Sequence, residues 1–172
     1  MKGLSEGKFT SEKMKVFKKR MAQAAEYFER HLTDKEYTVY RGMKSDGLLT
    51  LLETATPRVY STHSTHALRL KTPVDLLIPD INKKKPIVYD EGMVSTSLNK
   101  GVSSAFFHGT DKGNVFLTIK IPPRSKALVL DFEGIKNVPH EEEVLLAPKT
   151  KLKFWSMRKV NDHYEIEAEV VS

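Results

Sequence analysis

The sequence predicts an α+β fold in which helices pack on mostly antiparallel β-sheets. Two observations support this: the N-terminal part of the chain has the apolar spacing of an amphipathic helix, and the second half consists of consecutive short β-type runs. Gly, Pro, Asn and Asp separate these runs, as in sheets with tight connections. With 172 residues and no cysteine, the chain can bury an adequate core without disulfides, so we expect a single domain over 1–172.

The first predicted element is a helix from Ser11 to Leu32, where apolar side chains recur every three or four residues. Residues 1–36 are therefore expected to form a helical N-terminal segment, with the core of the domain in 37–172. The β-branched and aromatic run from Tyr37 to Tyr40 predicts a strand that leads into Arg41. A short helix is predicted from Leu48 to Leu52.

The middle of the chain has no clear periodicity from Thr54 to Leu70, and we expect irregular structure there. The run from Pro79 to Pro86 combines turn formers with three consecutive lysines and predicts an exposed loop. One or two helical turns are expected from Ser103 to His108. The predicted strands of the second half are Ile87–Tyr89, Met93–Ser97, Val115–Ile121, Ala127–Leu130, Val144–Leu146, Lys151–Trp155 and Tyr164–Val171.

The charge of the chain favours an acidic partner. Its formal net charge is +6 and its pI is near 9.4, so nucleic acid, a nucleotide or an acidic protein would be attracted to it. A solvated lysine surface accounts for the same composition, and nucleic acid therefore remains one possible partner among several. The N-terminus has no apolar run long enough for a signal peptide or a membrane span, and we expect a cytoplasmic protein without a membrane partner.

A metal site is not predicted. His63 and His66 are three residues apart, but no cysteine and no carboxylate at matching spacing accompanies them. No glycine-rich phosphate loop or dinucleotide fingerprint is present either, so a nucleotide would have to bind outside a Rossmann frame.

At three places in the sequence, polar side chains lie at or next to the end of a predicted strand. Arg41 is followed by Gly42, whose lack of a side chain lets a ligand approach the backbone. A Ser-Thr-Ser triplet over Ser95–Ser97 ends an apolar strand, and Glu141–Glu143 precedes another. Taken singly, each is typical of ordinary solvated structure.

Taken in order, the three features resemble the signature of the toxin-type mono-ADP-ribosyltransferases. That family combines an aromatic-arginine pair, a Ser-Thr-Ser strand and a Glu-x-Glu pair, which match Tyr40-Arg41, Ser95–Ser97 and Glu141-x-Glu143. The resemblance extends from Val39 to Val171. It implies the ADP-ribosyltransferase fold, with two mostly antiparallel sheets around a central NAD cleft, NAD as co-substrate and no metal. Met93 stands where the family usually has an aromatic residue, and Met fills apolar space adaptably.

The resemblance also implies roles at the NAD site. Glu143, as the second glutamate, would stabilise the positive charge that develops on the ribose when nicotinamide leaves. Arg41 would hold the pyrophosphate with its planar fork, and Ser95 would hold the Glu143 rotamer by a hydrogen bond. Thr96 and Ser97 would stabilise the strand and the nicotinamide pocket. The residues expected to bind NAD are Arg41, Gly42, Ser95, Thr96, Ser97, Phe106 and Glu143.

Acceptor recognition is expected from the first glutamate and the preceding loop. Glutamate at position 141 resembles the arginine-modifying members of the family, whereas glutamine there accompanies asparagine modification. Glu141 would orient the acceptor guanidinium and help take its proton, and Phe132 would pack against the target protein. Catalysis is therefore assigned to Arg41, Ser95, Glu141 and Glu143.

The expected reaction is transfer of ADP-ribose from NAD to an arginine of a target protein, with release of nicotinamide. By analogy with phage and bacterial effectors, the target would belong to the host transcription or translation machinery. Two alternatives stay open: NAD hydrolysis or transfer to nucleic acid, and a catalytically inactive basic module that binds nucleic acid.

Overall fold

The computed structural model describes residues 11–59, 74–101, 114–130 and 143–172. Within these ranges no helix is long and apolar enough to cross a membrane. The helical elements are α1 (Ser11–Arg30), α2 (Ser45–Leu52), a 3₁₀ turn (Val74–Leu76) and α3 (Leu77–Lys84). The strands are β1 (Tyr37–Met43), β2 (Ile87–Tyr89), β3 (Val94–Ser97), β4 (Asn114–Ile121), β5 (Ala127–Leu130), β6 (Glu143–Leu146), β7 (Lys151–Val160) and β8 (His163–Val171).

The eight strands of the described ranges form one mixed sheet in the order β2-β7-β8-β4-β1-β3-β6-β5. Neighbouring strands are antiparallel except β4 and β8, which run parallel. The two halves of the sheet meet where β1 pairs with β3 through Tyr40 and Ser97. The predicted α+β fold is confirmed, and the two expected sheets are hydrogen-bonded into a continuous one.

Alternating apolar residues of the long strands form the core. Val39 of β1, Leu117 and Ile119 of β4, and Phe154 of β7 are all fully buried. The short helix predicted from Leu48 to Leu52 is confirmed as α2, which begins three residues earlier and packs on this layer with four buried leucines. Strand β1, which carries Arg41, pairs along its whole length with β4 of this buried layer.

Within the described residues, helix α1 covers Ser11–Arg30, two residues short of the predicted end at Leu32, and it is anchored at its C-terminal end. Phe28 is buried, whereas Met14 is 41% exposed. The side chains of three other residues on the predicted apolar face, Phe17, Met21 and Ala24, lie outside the described part of the structure. Beyond the helix, Thr33 forms several hydrogen bonds to the connection between β4 and β5.

The predicted exposed loop from Pro79 to Pro86 is wrong for most of its length, because α3 occupies it. Pro79 lies in the first turn of the helix, where its missing N–H has no intrahelical partner to lose. Ile81 is fully buried and packs the helix on the sheet. Lys85 has φ 46 and ends the helix in the left-handed conformation before Pro86.

Strand β7 is twice as long as the predicted Lys151–Trp155, since it continues to Val160. The register with β8 shifts between Phe154 and Ser156, which marks a β-bulge at Trp155. Met157 is buried beyond the bulge, and the apolar alternation resumes in the new register. The helical turns predicted from Ser103 to His108 lie outside the described residues.

Candidate active site

Arg41 lies near the C-terminal end of β1, opposite Leu117 of β4. Its Nη1 donates a hydrogen bond to the main-chain oxygen of Ser95 at 2.9 Å. This bond joins β1 to β3 at the point where the two halves of the sheet meet. This bond fixes the orientation of the guanidinium, which has five N–H donors in one plane.

The Ser95 hydroxyl points to the carboxylate of Glu143. Ser95 Oγ donates to Glu143 Oε1 at 2.6 Å, a length typical of a hydrogen bond to an ionised group. Glu143 is the first residue of β6 and pairs in register with Ser97 of β3. Ser95 therefore links positions far apart in sequence, because its main-chain oxygen accepts from Arg41 and its hydroxyl donates to Glu143. The bond between Ser95 and Glu143 is the one expected from the sequence, and the roles of these residues in a reaction stay predictions.

The other two residues of the Ser-Thr-Ser triplet bond to the main chain. Thr96 is buried, and its Oγ1 donates to the Val144 carbonyl oxygen at 2.7 Å. Ser97 Oγ accepts the N–H of Asn99 at 3.0 Å and shapes the turn after β3. Both hydroxyls thus hold the strand that presents Ser95, and the part expected of them in a nicotinamide pocket stays a prediction.

Gly42 lies opposite Phe116 of β4 in the same register as the rest of β1. Next to it, the Tyr40 ring stacks on Phe116 with ring centroids 6.0 Å apart. The aromatic residue of the Tyr40-Arg41 pair therefore helps to fix the strand that carries the arginine.

A cavity of about 400 Å³ lies beside Arg41. Its apolar lining comes from α2 and the sheet, and its carboxylates are Glu53, Asp90 and Glu91. Burial lowers the pKa of the Arg41 guanidinium, and the negative charge of Asp90 raises it. Because an arginine pKa starts above about 12, the side chain stays charged at neutral pH.

Asp90 is the residue that sequence reasoning missed at this site. Its Oδ1 accepts the N–H of Gly92 at 2.9 Å, and its main-chain oxygen accepts the N–H of Lys149 at 2.8 Å. An Asp two residues before a Gly is typical of such a turn, so the Asp90-Glu91-Gly92 sequence was the available indication. Its proximity to Arg41 depends on the sheet order and was not readable from the chain.

Three of the predicted site residues, Phe106, Phe132 and Glu141, lie outside the described residues. Their expected roles in NAD binding and acceptor recognition therefore stay predictions. Among the residues that the structure describes, no cluster of three or more His, Asp or Glu side chains is arranged to hold a metal ion.

Comparison with known proteins identifies a family. The model of the ADP-ribosyltransferase exoenzyme family matches residues 5–171, nearly the whole chain. Among curated protein sequences, no match to this chain is found.

Solved structures of bacterial toxins have a similar fold. C3stau2 from S. aureus, solved with NAD, is 21% identical, with a TM-score of 0.62 over 92% of this chain and 72% of that one. Plx2a, an ADP-ribosyltransferase toxin from Paenibacillus larvae, is 23% identical, with a TM-score of 0.62 over 98% and 76%. The ADP-ribosylating toxin BECa of C. perfringens, solved with NADH, is 15% identical, with a TM-score of 0.60 over 98% and 38%.

Proposed function

Because the chain belongs to the ADP-ribosyltransferase exoenzyme family, we propose that it transfers one ADP-ribose from NAD to an arginine of a target protein. NAD-dependent ADP-ribosyl transfer follows from the family itself. The arginine acceptor, the residues that carry the reaction and an effector role in a host cell are the parts we propose. The supporting observation is the hydrogen-bonded group of Arg41, Ser95 and Glu143.

Glu143 is proposed to stabilise the reacting ribose. Breaking the bond between ribose and nicotinamide leaves positive charge on the sugar, and a fixed carboxylate lowers the energy of that charge as it develops. The Ser95 hydroxyl, 2.6 Å from Glu143 Oε1, restricts the carboxylate to one orientation. Such preorganisation makes the carboxylate more effective than a freely rotating one, because little reorientation is needed during the reaction.

Arg41 is proposed to hold the pyrophosphate of NAD. Its guanidinium carries a permanent charge and presents several N–H groups in one plane, which suits paired phosphate oxygens. The bond from Nη1 to the Ser95 carbonyl oxygen keeps this plane fixed relative to Glu143. Gly42, Thr96, Ser97 and Phe106 complete the proposed NAD pocket.

Glu141 is proposed to engage the acceptor, and Phe132 to pack against the target. A guanidinium with a pKa above about 12 is a poor nucleophile, so a carboxylate must orient it and accept its proton as the new bond forms. The attacking nitrogen bonds to the ribose carbon, nicotinamide leaves, and the proton passes to Glu141. Glutamate rather than glutamine at this position is the reason for naming arginine.

Labelled NAD and a bacterial lysate provide the test. We expect labelled protein bands that disappear with Glu143→Ala and persist with Glu167→Ala, a matched change of an exposed glutamate on β8. Neutral hydroxylamine should remove the label if the acceptor is arginine. Free ADP-ribose without labelled bands would instead establish NAD hydrolysis, and label retained after hydroxylamine would refute the arginine acceptor.

A further inference from the structure

A second cavity lies away from Arg41, between the turns that follow β4 and β6. Its volume is about 560 Å³, and its lining includes residues 122–126, residues 147–151 and the end of β8. Cavities of this size commonly accommodate small molecules. None of its described lining residues belongs to the group formed by Arg41, Ser95 and Glu143.

The lining of this cavity is strongly basic. Arg124, Lys126, Lys149 and Lys151 contribute four cations, and the described lining has no Asp or Glu side chain. Lys126 is ion-paired with Glu29 of α1. Arg124 and Lys151 form no ion pair with any residue in the described ranges. Lys149 is 3.9 Å from a carboxylate oxygen of Glu91, but both side chains are about 70% exposed, so this pair is weak. The cavity therefore favours an anionic ligand.

The walls between the cations are apolar and rigid. Pro122, Pro123 and Pro148 line the cavity together with Val170. Proline rings have little freedom to lose on contact, so a flat or sugar ring can pack on them at low entropic cost. An anion that carries such a ring fits this lining better than a bare inorganic ion.

The turn that carries Arg124 is held in place before any ligand binds. Thr33 accepts the Arg124 N–H at 2.8 Å through its main-chain oxygen and the Ser125 N–H at 2.9 Å through Oγ1. Its hydroxyl in turn donates to the Pro122 carbonyl oxygen at 3.0 Å. A wall fixed in this way is preorganised, which lowers the cost of binding.

Both turns place a cation in a conformation that is uncommon for residues other than glycine. Arg124 has φ 65 and Lys149 has φ 60, in the left-handed region. Such positions concentrate at sites that bind ligands, where the surrounding structure maintains them. In each of the two turns, the residue with the positive φ angle carries a long cationic side chain, and that side chain lines the cavity.

We propose that this cavity is a second binding site, for a small phosphate-bearing molecule with an attached ring, of the nucleotide class. Arg124, Lys149 and Lys151 contact the phosphate groups, and the ring packs on the proline wall. The proposal rests on this geometry alone and does not depend on the arginine acceptor or on the catalytic role of Glu143.

Calorimetric titration of the full chain with ADP, and separately with inorganic pyrophosphate, tests the site. We expect the double variant Arg124→Gln/Lys151→Gln to weaken ADP binding about tenfold or more, because two charge-assisted contacts are lost. The matched variant Arg30→Gln/Lys83→Gln removes the same charge outside the cavity and should change the affinity less than twofold. ADP should also bind several-fold more tightly than pyrophosphate, since only ADP can use the apolar wall.

Several outcomes would overturn the proposal. If Arg41→Gln abolishes ADP binding and the double variant Arg124→Gln/Lys151→Gln leaves ADP binding unchanged, ADP occupies only the cavity beside Arg41. An equal loss in the matched variant would show general attraction to a basic surface. Equal affinity for pyrophosphate and ADP would exclude a role for the ring, and tight binding of single-stranded RNA without ADP binding would indicate a nucleic-acid surface. Thermal melts of each variant verify that it is folded.

Discussion

The two halves of the sheet differ in strand length and in the exposure of their polar residues. On one side of β1, strands β4, β7 and β8 have 8, 10 and 9 residues and pair over nearly their full length, and only the edge strand β2 is short, with three residues. On the other side, β3, β5 and β6 have four residues each. The long half contains most of the fully buried side chains, whereas the short half carries Ser95 and Glu143.

This difference indicates that the long half of the sheet mainly stabilises the fold, whereas the short half carries the polar side chains of the candidate site. Extensive pairing and burial in the long half stabilise β1 and therefore the position of Arg41. Short strands end within a few residues, so the side chains at their ends reach solvent and ligand without a large cost to the core. The following predictions test whether stability and catalysis separate in this way.

The largest expected effect is on stability, from Phe154→Ala in the long half. Phe154 is fully buried, and its loss should lower the free energy of unfolding by about 3–5 kcal/mol through lost burial and a residual cavity. Denaturant unfolding measures this change. The activity of the protein that remains folded should be retained, and a parallel loss of activity per folded molecule would contradict the separation.

The next effect is on catalysis, from Ser95→Ala in the short half. Removing the hydroxyl that orients Glu143 should lower kcat about ten- to a hundredfold with little change in the KM for NAD, since one charge-assisted hydrogen bond is lost. Unfolding should be nearly unchanged because Ser95 is exposed. Ser95→Thr keeps a hydroxyl and should recover part of the rate; if it is as slow as Ser95→Ala, positioning is not the role of this side chain.

A smaller effect is expected at the border of the two halves, from Asp90→Asn. The amide oxygen can still accept the Gly92 N–H, but the negative charge beside Arg41 is removed. The KM for NAD should therefore fall about two- to fivefold, as expected for a screened charge pair of up to about 1 kcal/mol. Asp90→Ala also breaks the turn and should lose stability. A KM that rises with Asp90→Asn would mean that the charge positions Arg41.

The last prediction concerns the alkaline stability of the long half, where the effect is seen only above about pH 10. Burial, together with a hydrogen bond to Asp75, raises the pKa of Tyr164 to about 12. Its contribution is therefore fully present below pH 10, the ordinary tyrosine pKa, and is lost as the pH rises from about 10 to 12 because the unfolded chain releases this proton first. Unfolding curves across this pH range should show a fall in the free energy of unfolding, and Tyr164→Phe should make that fall smaller. If the Tyr164→Phe variant loses the same free energy of unfolding over this pH range, titration of other side chains causes the loss.

Local sequence chemistry was sufficient where an element depends on neighbouring residues. The amphipathic spacing after Ser11 predicted α1, and β-branched and aromatic runs predicted most strands. It failed for α3, where Pro79 and the lysines that follow were interpreted as a loop. Only packing of Ile81 on the sheet reveals why that segment is helical.

By itself, the sequence determined the α+β class, because residue type and strand propensity are local properties. Its resemblance to a known family is the source of the roles predicted for the side chains at positions 41, 95 and 143, and these roles stay predictions. The tertiary structure alone decided that β3 lies between β1 and β6, that Asp90 and Arg41 line one cavity, and that Arg124 and Lys149 line another. These contacts join residues far apart in the chain. They depend on strand order and register, which result from packing of the whole core and not from any single segment.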